Sequence, residues 1–263
     1  MHMKMSTASE FIRTLLQHGR YTFIRHEAEA VLGGPRATMK SLHRLESQGW
    51  LFSPSQCFYV IQDPLHQVGG LPVEWFIDNW ASHLGVSYYM GLLTAAMLHG
   101  AAHQKPQQLQ IVVNRQLRAL VRGPYHIDFF YKKHIPDSAW VLRQSPAGYY
   151  RLSSPEMTAY DVLRYPKACP TRDMAATILA ELGEALDAEH LAQLLDMGGE
   201  IVTLQRLGWM LDEVGWVSKT DKLASALKSH RYAWQRLRPD LSDTGTHNPR
   251  WRIIVNESIE VEI

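Results

Sequence analysis

The sequence predicts an α+β protein, with an N-terminal winged helix-turn-helix followed by a larger mixed domain that carries a small antiparallel sheet and C-terminal helices. Three observations predict it. The first sixty residues run helix, helix, glycine turn, helix, hairpin. Residues 109–142 hold a series of short apolar runs separated by turns, and the last third repeats its apolar residues at helical spacing. The 263 residues suit one or two domains of about 150 residues each. We place the winged helix at residues 1–63, a linker at 64–72 and the C-terminal domain at 73–263.

The first helix opens on Thr7-Ala8-Ser9-Glu10, the spacing of a capping box. Phe11, Ile12, Leu15 and Leu16 follow at helical spacing until Gly19. Arg20-Tyr21-Thr22-Phe23 reads as a short extended piece. A second helix covers residues 24–32, with Ala28, Val31 and Leu32 inward and Ile24 where a polar N-cap is expected. Gly33-Gly34 makes the turn, and Pro35 starts a third helix that Gly49 stops. On that helix Met39, Leu42 and Leu45, with Ala37 nearby, form the expected buried stripe. Arg36, Lys40 and Arg44 fall at i, i+4 and i+8 on another face, near Thr38, Ser41 and His43. Residues 50–52 and 57–61 are strands around a Ser53-Pro54-Ser55-Gln56 turn, with Cys57 as a small core residue.

A helix that reads the major groove needs side chains able to bond guanine edges or phosphates, backed by rigid apolar packing. Arg36, Lys40 and Arg44 are the expected principal contacts, Thr38, Ser41 and His43 supplement them, and Arg20 and Arg25 hold the DNA backbone. Three basic residues could also be a solvated helix face; the surrounding element order favours the reader.

Beyond the linker, residues 73–81 read as a helix and residues 85–100 as a long apolar one. Strands are expected at 109–113, 117–121, 125–131 and 140–142, and helices at 172–182, 188–195, 201–214 and 220–233, the last capped by Thr220. Arg250 to Asn256 reads as a late strand.

Charge is distributed unevenly under a net +1: residues 1–60 hold seven Lys/Arg against four Asp/Glu, and residues 216–238 hold six against one. Basic ends permit nucleic-acid binding there. Lys219, Lys222, Lys228, Arg231, Arg236 and Arg238 could form a second DNA surface, a face for RNA or an acidic partner, or a solvated helix. A composition 46% hydrophobic and 20% charged excludes general disorder. Two cysteines without a CxxC spacing exclude a disulfide scaffold and a zinc ribbon. The first residues lack the apolar core of a signal peptide, and no uncharged apolar run is long enough for a membrane helix. We therefore expect a soluble cytoplasmic protein that engages no membrane.

Catalytic patterns are weak. His99 and His103 are at i, i+4 but enclose Gly100 and belong to no His-Glu-x-x-His pattern, so His99 reads as a capping or core residue. Ser154-Pro155-Glu156 reads as a helix start rather than an acid–base site. Asp128 with Lys132 and Lys133 lacks suitably placed further carboxylates, and no phosphate-cradling glycine motif occurs. We expect no enzyme activity, no cofactor and no metal.

Three segments carry a resemblance. The run from Tyr88-Tyr89 through Ala95-Ala96-Met97-Leu98-His99-Gly100 to Gln107 resembles the central motif of the AbiEi antitoxin family. Leu152-Ser153-Ser154-Pro155-Glu156-Met157-Thr158-Ala159-Tyr160-Asp161 is a second match, and Arg206-Leu207-Gly208-Trp209-Met210-Leu211 with Pro249-Arg250-Trp251-Arg252-Ile253-Ile254-Val255-Asn256 a third, in the family's order. The resemblance implies a cytoplasmic bacterial protein that represses its own operon at inverted repeats. It also implies an antitoxin that counteracts a co-encoded AbiEii-like nucleotidyltransferase toxin in phage defence by abortive infection, with direct contact between the two left open. Family wings often carry Arg-Gly before the final Tyr, whereas this chain has Ser55-Gln56-Cys57-Phe58-Tyr59 and no Lys or Arg between Leu45 and Ile61. A cationic wing on the DNA is therefore not expected. The alternatives to a DNA-binding autorepressor are a protein-binding regulator that uses the winged helix as a scaffold, and a nucleic-acid-processing enzyme.

Overall fold

The computed structural model describes residues 7–62, 69–101 and 106–261. Residue 63, residues 64–68 of the expected linker, and 102–105 of the first family motif with its His103, lie outside the described residues. The chain is mixed α+β and divides into two compact units. One comprises residues 1–88, 117–127 and 142–151; the other comprises 89–116, 128–141 and 152–263. The first unit thus takes in residues 73–88 and two later stretches beyond the expected winged helix.

The first unit opens with α1 (Ala8–Gln17), β1 (Thr22–Ile24), α2 (Arg25–Leu32), α3 (Pro35–Ser47), β2 (Leu51–Ser55) and β3 (Phe58–Ile61). The strands form an antiparallel sheet in the order β1-β3-β2, the arrangement of a winged helix. The capping box is present: Glu10 N donates to Thr7 Oγ1 at 3.2 Å and Thr7 N donates to Glu10 at 3.3 Å. At α2, where Ile24 offers no cap, Ile24 N donates to Glu27 instead, at 2.9 Å. Phe11, Phe23 and Tyr59 pack ring against ring at 5.1 and 5.2 Å, with Leu42, Leu45 and Ile61 around them.

The hairpin differs from expectation. β2 runs on through Pro54, tolerated because β2 is an edge strand with an irregular register between Phe52 and Ser55. The turn is therefore Gln56-Cys57, and Cys57 sits in it at φ 63°, half-buried, rather than inside a strand. A 3₁₀ turn (Val73–Trp75) and α4 (Ile77–Leu84) follow. Trp80 Nε1 donates to Ser55 Oγ at 3.0 Å, His83 Nε2 lies 3.0 Å from Gln56 O, and the His83 ring lies tilted against Phe58 at 5.3 Å, so α4 holds the wing turn.

The expected long helix over 85–100 is a strand and a shorter helix: β4 (Tyr88–Met90) and α5 (Leu92–Leu98). Gly91 separates them because a Cβ there would lie 2.9 Å from the Tyr89 ring and 3.1 Å from Val112. Six strands pair in the order β6-β7-β5-β4-β9-β8, with β5 (Leu109–Val113), β6 (Leu120–Arg122), β7 (Tyr125–Tyr131), β8 (Trp140–Ser145) and β9 (Gly148–Ser153). β4 runs parallel to β9 through Met90 and Leu152, so the sheet is mixed rather than antiparallel, and larger than expected.

In the second unit α6 (Pro155–Arg164), α7 (Arg172–Leu182), α8 (Ala188–Gln193), α9 (Ile201–Glu213) and α10 (Val217–Lys228) enclose one apolar core. Ser154 caps α6 by accepting from Met157 N at 3.1 Å, as expected, while Glu156 turns inward and accepts from Asp187 N at 2.8 Å. Thr220 is not a cap. It lies buried inside α10 with its hydroxyl 2.5 Å from Asp212, because the helix starts one turn earlier. A small sheet follows, with β12 (Ile253–Val255) parallel to β10 (Gln235–Arg236) and antiparallel to β11 (Thr246–Asn248).

Candidate nucleic-acid interface

Pro35 enters α3 from Gly33 and Gly34, whose φ values of 90° and 115° only glycine adopts without strain. The helix buries Thr38, Leu42 and Leu45, spaced by four and three residues. Successive side chains on a helix turn about 100°, so these three share one face. Met39, expected in the stripe, lies off it and is 52% exposed, as Ala37 is exposed beside the basic residues. Thr38 moves the other way: it is fully buried, so it cannot touch DNA from this face, and its Oγ1 has no hydrogen-bond partner among the described residues.

The exposed face brings together Arg36, Lys40, His43 and Arg44, with Ser41 half-buried at its margin. Among the described residues none of the three cations is in an ion pair. Unpaired guanidinium and ammonium groups on a helix fixed by Leu42 and Leu45 match what phosphate and guanine contacts require. Arg20 and Arg25 are more committed. Arg20 pairs with Glu27 at 2.6 Å, and Arg25 is half-buried with its guanidinium bonded to Tyr59, which raises its pKa further. The wing's own residues add no cation, and Arg122, which donates to Ser53 O at 2.8 Å, is paired with Glu46.

The second basic stretch does not form one cationic surface. Lys219 donates to Leu186 O at 2.6 Å and Lys222 pairs with Glu189. Arg236 pairs with Asp243 at 3.3 Å, and Arg238 pairs with Asp240 and Glu257 at 3.0 and 2.6 Å. Lys228 and Arg231 remain exposed. Glu189 and Glu257 come from elsewhere in the chain and Asp240 and Asp243 lie just past residue 238, so a charge count over residues 216–238 does not see them.

His99 caps the end of α5, with Nε2 2.8 Å from Ser153 O. Among the described residues, no three His, Cys, Asp or Glu side chains gather as a metal site, and no helix is long and apolar enough to cross a membrane. Sequence reasoning missed a buried cluster in the second unit. Tyr89 donates to Asp161, which also pairs with Lys132 at 3.1 Å, and Lys132 lies over the Tyr160 ring at 5.0 Å. A tyrosine and an aspartate in two of the family motifs were the available signal.

Three comparisons bear on identity. Residues 89–213 match the family model described as the AbiEi antitoxin C-terminal domain. No curated protein matches the chain. Among solved structures, the chain is similar to the crystal structure of the RV2827C protein from Mycobacterium tuberculosis, at 15% identity and a TM-score of 0.68, over 94% of this chain and 90% of that one. That likeness is one of fold. The family motifs and the matched domain agree: residues 89–213 are similar to the AbiEi antitoxin C-terminal domain, which supports that family for this part of the chain.

Proposed function

We propose that this protein is a sequence-specific DNA-binding autorepressor, and that it counteracts a co-encoded nucleotidyltransferase toxin without catalysis of its own. The observation that carries the DNA-binding reading is the α3 face. Arg36, Lys40 and Arg44 are exposed, and without an ion pair among the described residues, on a helix whose opposite face is locked into the core of a winged helix. The proposed DNA is double-stranded, with inverted repeats in the protein's own promoter. The α4 contacts to Ser55 and Gln56 support a mode in which the helix, not the wing, makes the principal contacts. The antitoxin role rests on the family domain over residues 89–213.

A promoter reporter tests the pair of claims in cells. The wild-type chain is expected to repress transcription from its own upstream region, and R36A/K40A/R44A is expected to lose that repression. Both are expected to rescue growth when the co-encoded toxin is expressed. Repression by the triple variant would reject the assigned face, and toxicity unrelieved by either chain would reject the antitoxin pairing.

A further inference from the structure

Within the second unit a cavity of about 740 Å³ is lined by Arg164, Arg172, Arg206 and Arg238. Its size lies in the range of small-molecule sites, roughly 300–1,000 Å³. Four carboxylates also line it, and each is already committed. Glu200 pairs with Arg164 at 2.7 Å, and Glu257 takes both Arg172 and Arg238 at 3.4 and 2.6 Å. Asp240 takes Arg238 at 3.0 Å, and Asp173 accepts from Glu260 N at 2.9 Å.

Arg206 is the exception. Its Nε and Nη2 donate to the carbonyl of Arg236 at 3.2 and 3.0 Å, and it has no carboxylate partner among the described residues. Burial, and then the like charge of Arg172, push its pKa down, the mark of a guanidinium whose charge the protein does not compensate. The N-terminal ends of two helices also line the cavity: the N-cap Thr171 with Arg172 at α7, and the N-cap Glu200 with Thr203 at α9. The amide groups at such ends carry positive potential.

From this geometry we infer that the cavity binds a phosphate group, held by Arg206 and Arg172, from either free phosphate or a small phosphate monoester. A phosphate dianion supplies the acceptors that a forked guanidinium lacks here. The space beyond these two residues admits the organic part of an ester. The inference is independent of the DNA-binding reading.

Calorimetric titration of the full chain with inorganic phosphate and with ribose 5-phosphate, against sodium chloride at matched ionic strength, tests it. One saturable site is expected. R206Q should weaken it at least 10-fold, E257Q should tighten it several-fold by releasing Arg172 and Arg238, and R36A/K40A/R44A should leave it within 2-fold. Tighter ribose 5-phosphate identifies an ester ligand, and equal affinities identify free phosphate. Absence of saturable heat in the wild type, or unchanged affinity in a folded R206Q, overturns the site. If R206Q does not fold, unchanged affinity in E257Q overturns it instead.

Discussion

Tyr89 donates a 2.5 Å hydrogen bond to Asp161, seventy-two residues away, and both side chains are buried to the last few square ångströms. Lys132 completes the group at 3.1 Å from Asp161, its ammonium also 2.9 Å from the Met157 sulfur. Two family motifs thus meet at one charge-assisted contact between β4 and α6. A buried carboxylate that accepts from both a hydroxyl and an ammonium has its desolvation offset by both partners, so losing either is costly. We expect D161A, which strands the Lys132 charge, to lower unfolding free energy by about 3–5 kcal/mol. Y89F should cost less, about 1–3 kcal/mol. Urea denaturation measures both, and a change near zero in D161A would show that the cluster contributes nothing.

Gly208 sits in the middle of α9, where alanine is normally the better helix former by about 1 kcal/mol. A Cβ there would lie 2.2 Å from the ring of Trp251, itself fully buried with Nε1 donating to Asp212 at 2.6 Å. The indole cannot retreat without breaking that bond. G208A is therefore expected to destabilise the protein by several kcal/mol, on the order of other overpacking changes or above. Thermal unfolding distinguishes this from the gain that helix propensity alone gives.

Thr38 carries a fully buried hydroxyl with no partner among the described residues. Valine keeps the shape and removes the unsatisfied group. T38V should therefore raise stability, by about 1 kcal/mol, and leave DNA affinity unchanged. A loss of affinity would place Thr38 on the DNA after all.

Burial pushes the Cys169 thiol up to about 12, while Cys57 is half-buried in the wing turn. A thiol-specific reagent at neutral pH is expected to modify one cysteine quickly, Cys57, and the second only after denaturant is added. Two fast-reacting thiols would contradict the packing around Cys169.

Alkaline pH acts on the buried tyrosines. Tyr88, Tyr89 and Tyr165 are held above the ordinary tyrosine range, by burial first and then by Asp78 for Tyr88 and Asp161 for the other two. In the unfolded chain they ionise near 10, whereas the folded chain keeps their protons. Above that pH the unfolded state binds fewer protons, so stability present below pH 10 falls as pH rises further. The urea midpoint should drop between about pH 9 and 11, with a further rise in tyrosinate absorbance on unfolding from the buried tyrosines. A midpoint flat across that window would contradict the assignment.

The sequence made local order legible and long-range pairing not. The Thr7–Glu10 capping box, the Gly33-Gly34 turn into Pro35 and the strands Leu109–Val113 and Tyr125–Tyr131 depend on residues close in the chain. Tyr88–Met90 read as helix because its apolar neighbours continue into α5; only the crowding of Gly91 against Tyr89 shows why the chain changes form there. On α3 the cations were legible by spacing, yet Thr38 and Met39 exchanged faces, since hydrophobicity alone favours burying methionine and the wheel position favours threonine. The C-terminal basic stretch looked cationic because Glu189 and Glu257, which neutralise much of it, lie outside its window. Arg206 appeared within a family motif, but its missing carboxylate is a property of the fold, not of the motif.

The central claim is that α3 reads DNA, and a salt-dependent titration tests it most directly. Purified wild-type chain and R36A/K40A/R44A would be titrated onto the protein's own upstream region and onto scrambled DNA at several salt concentrations. The wild type is expected to prefer its own region and to lose affinity steeply with salt. The triple variant should bind more weakly, with the slope of log affinity against log salt reduced by about 0.9 for each phosphate contact removed. Equal binding of wild type to both DNAs, or the same affinity and slope in the triple variant, would contradict the claim and favour a winged helix that serves as a protein-binding scaffold.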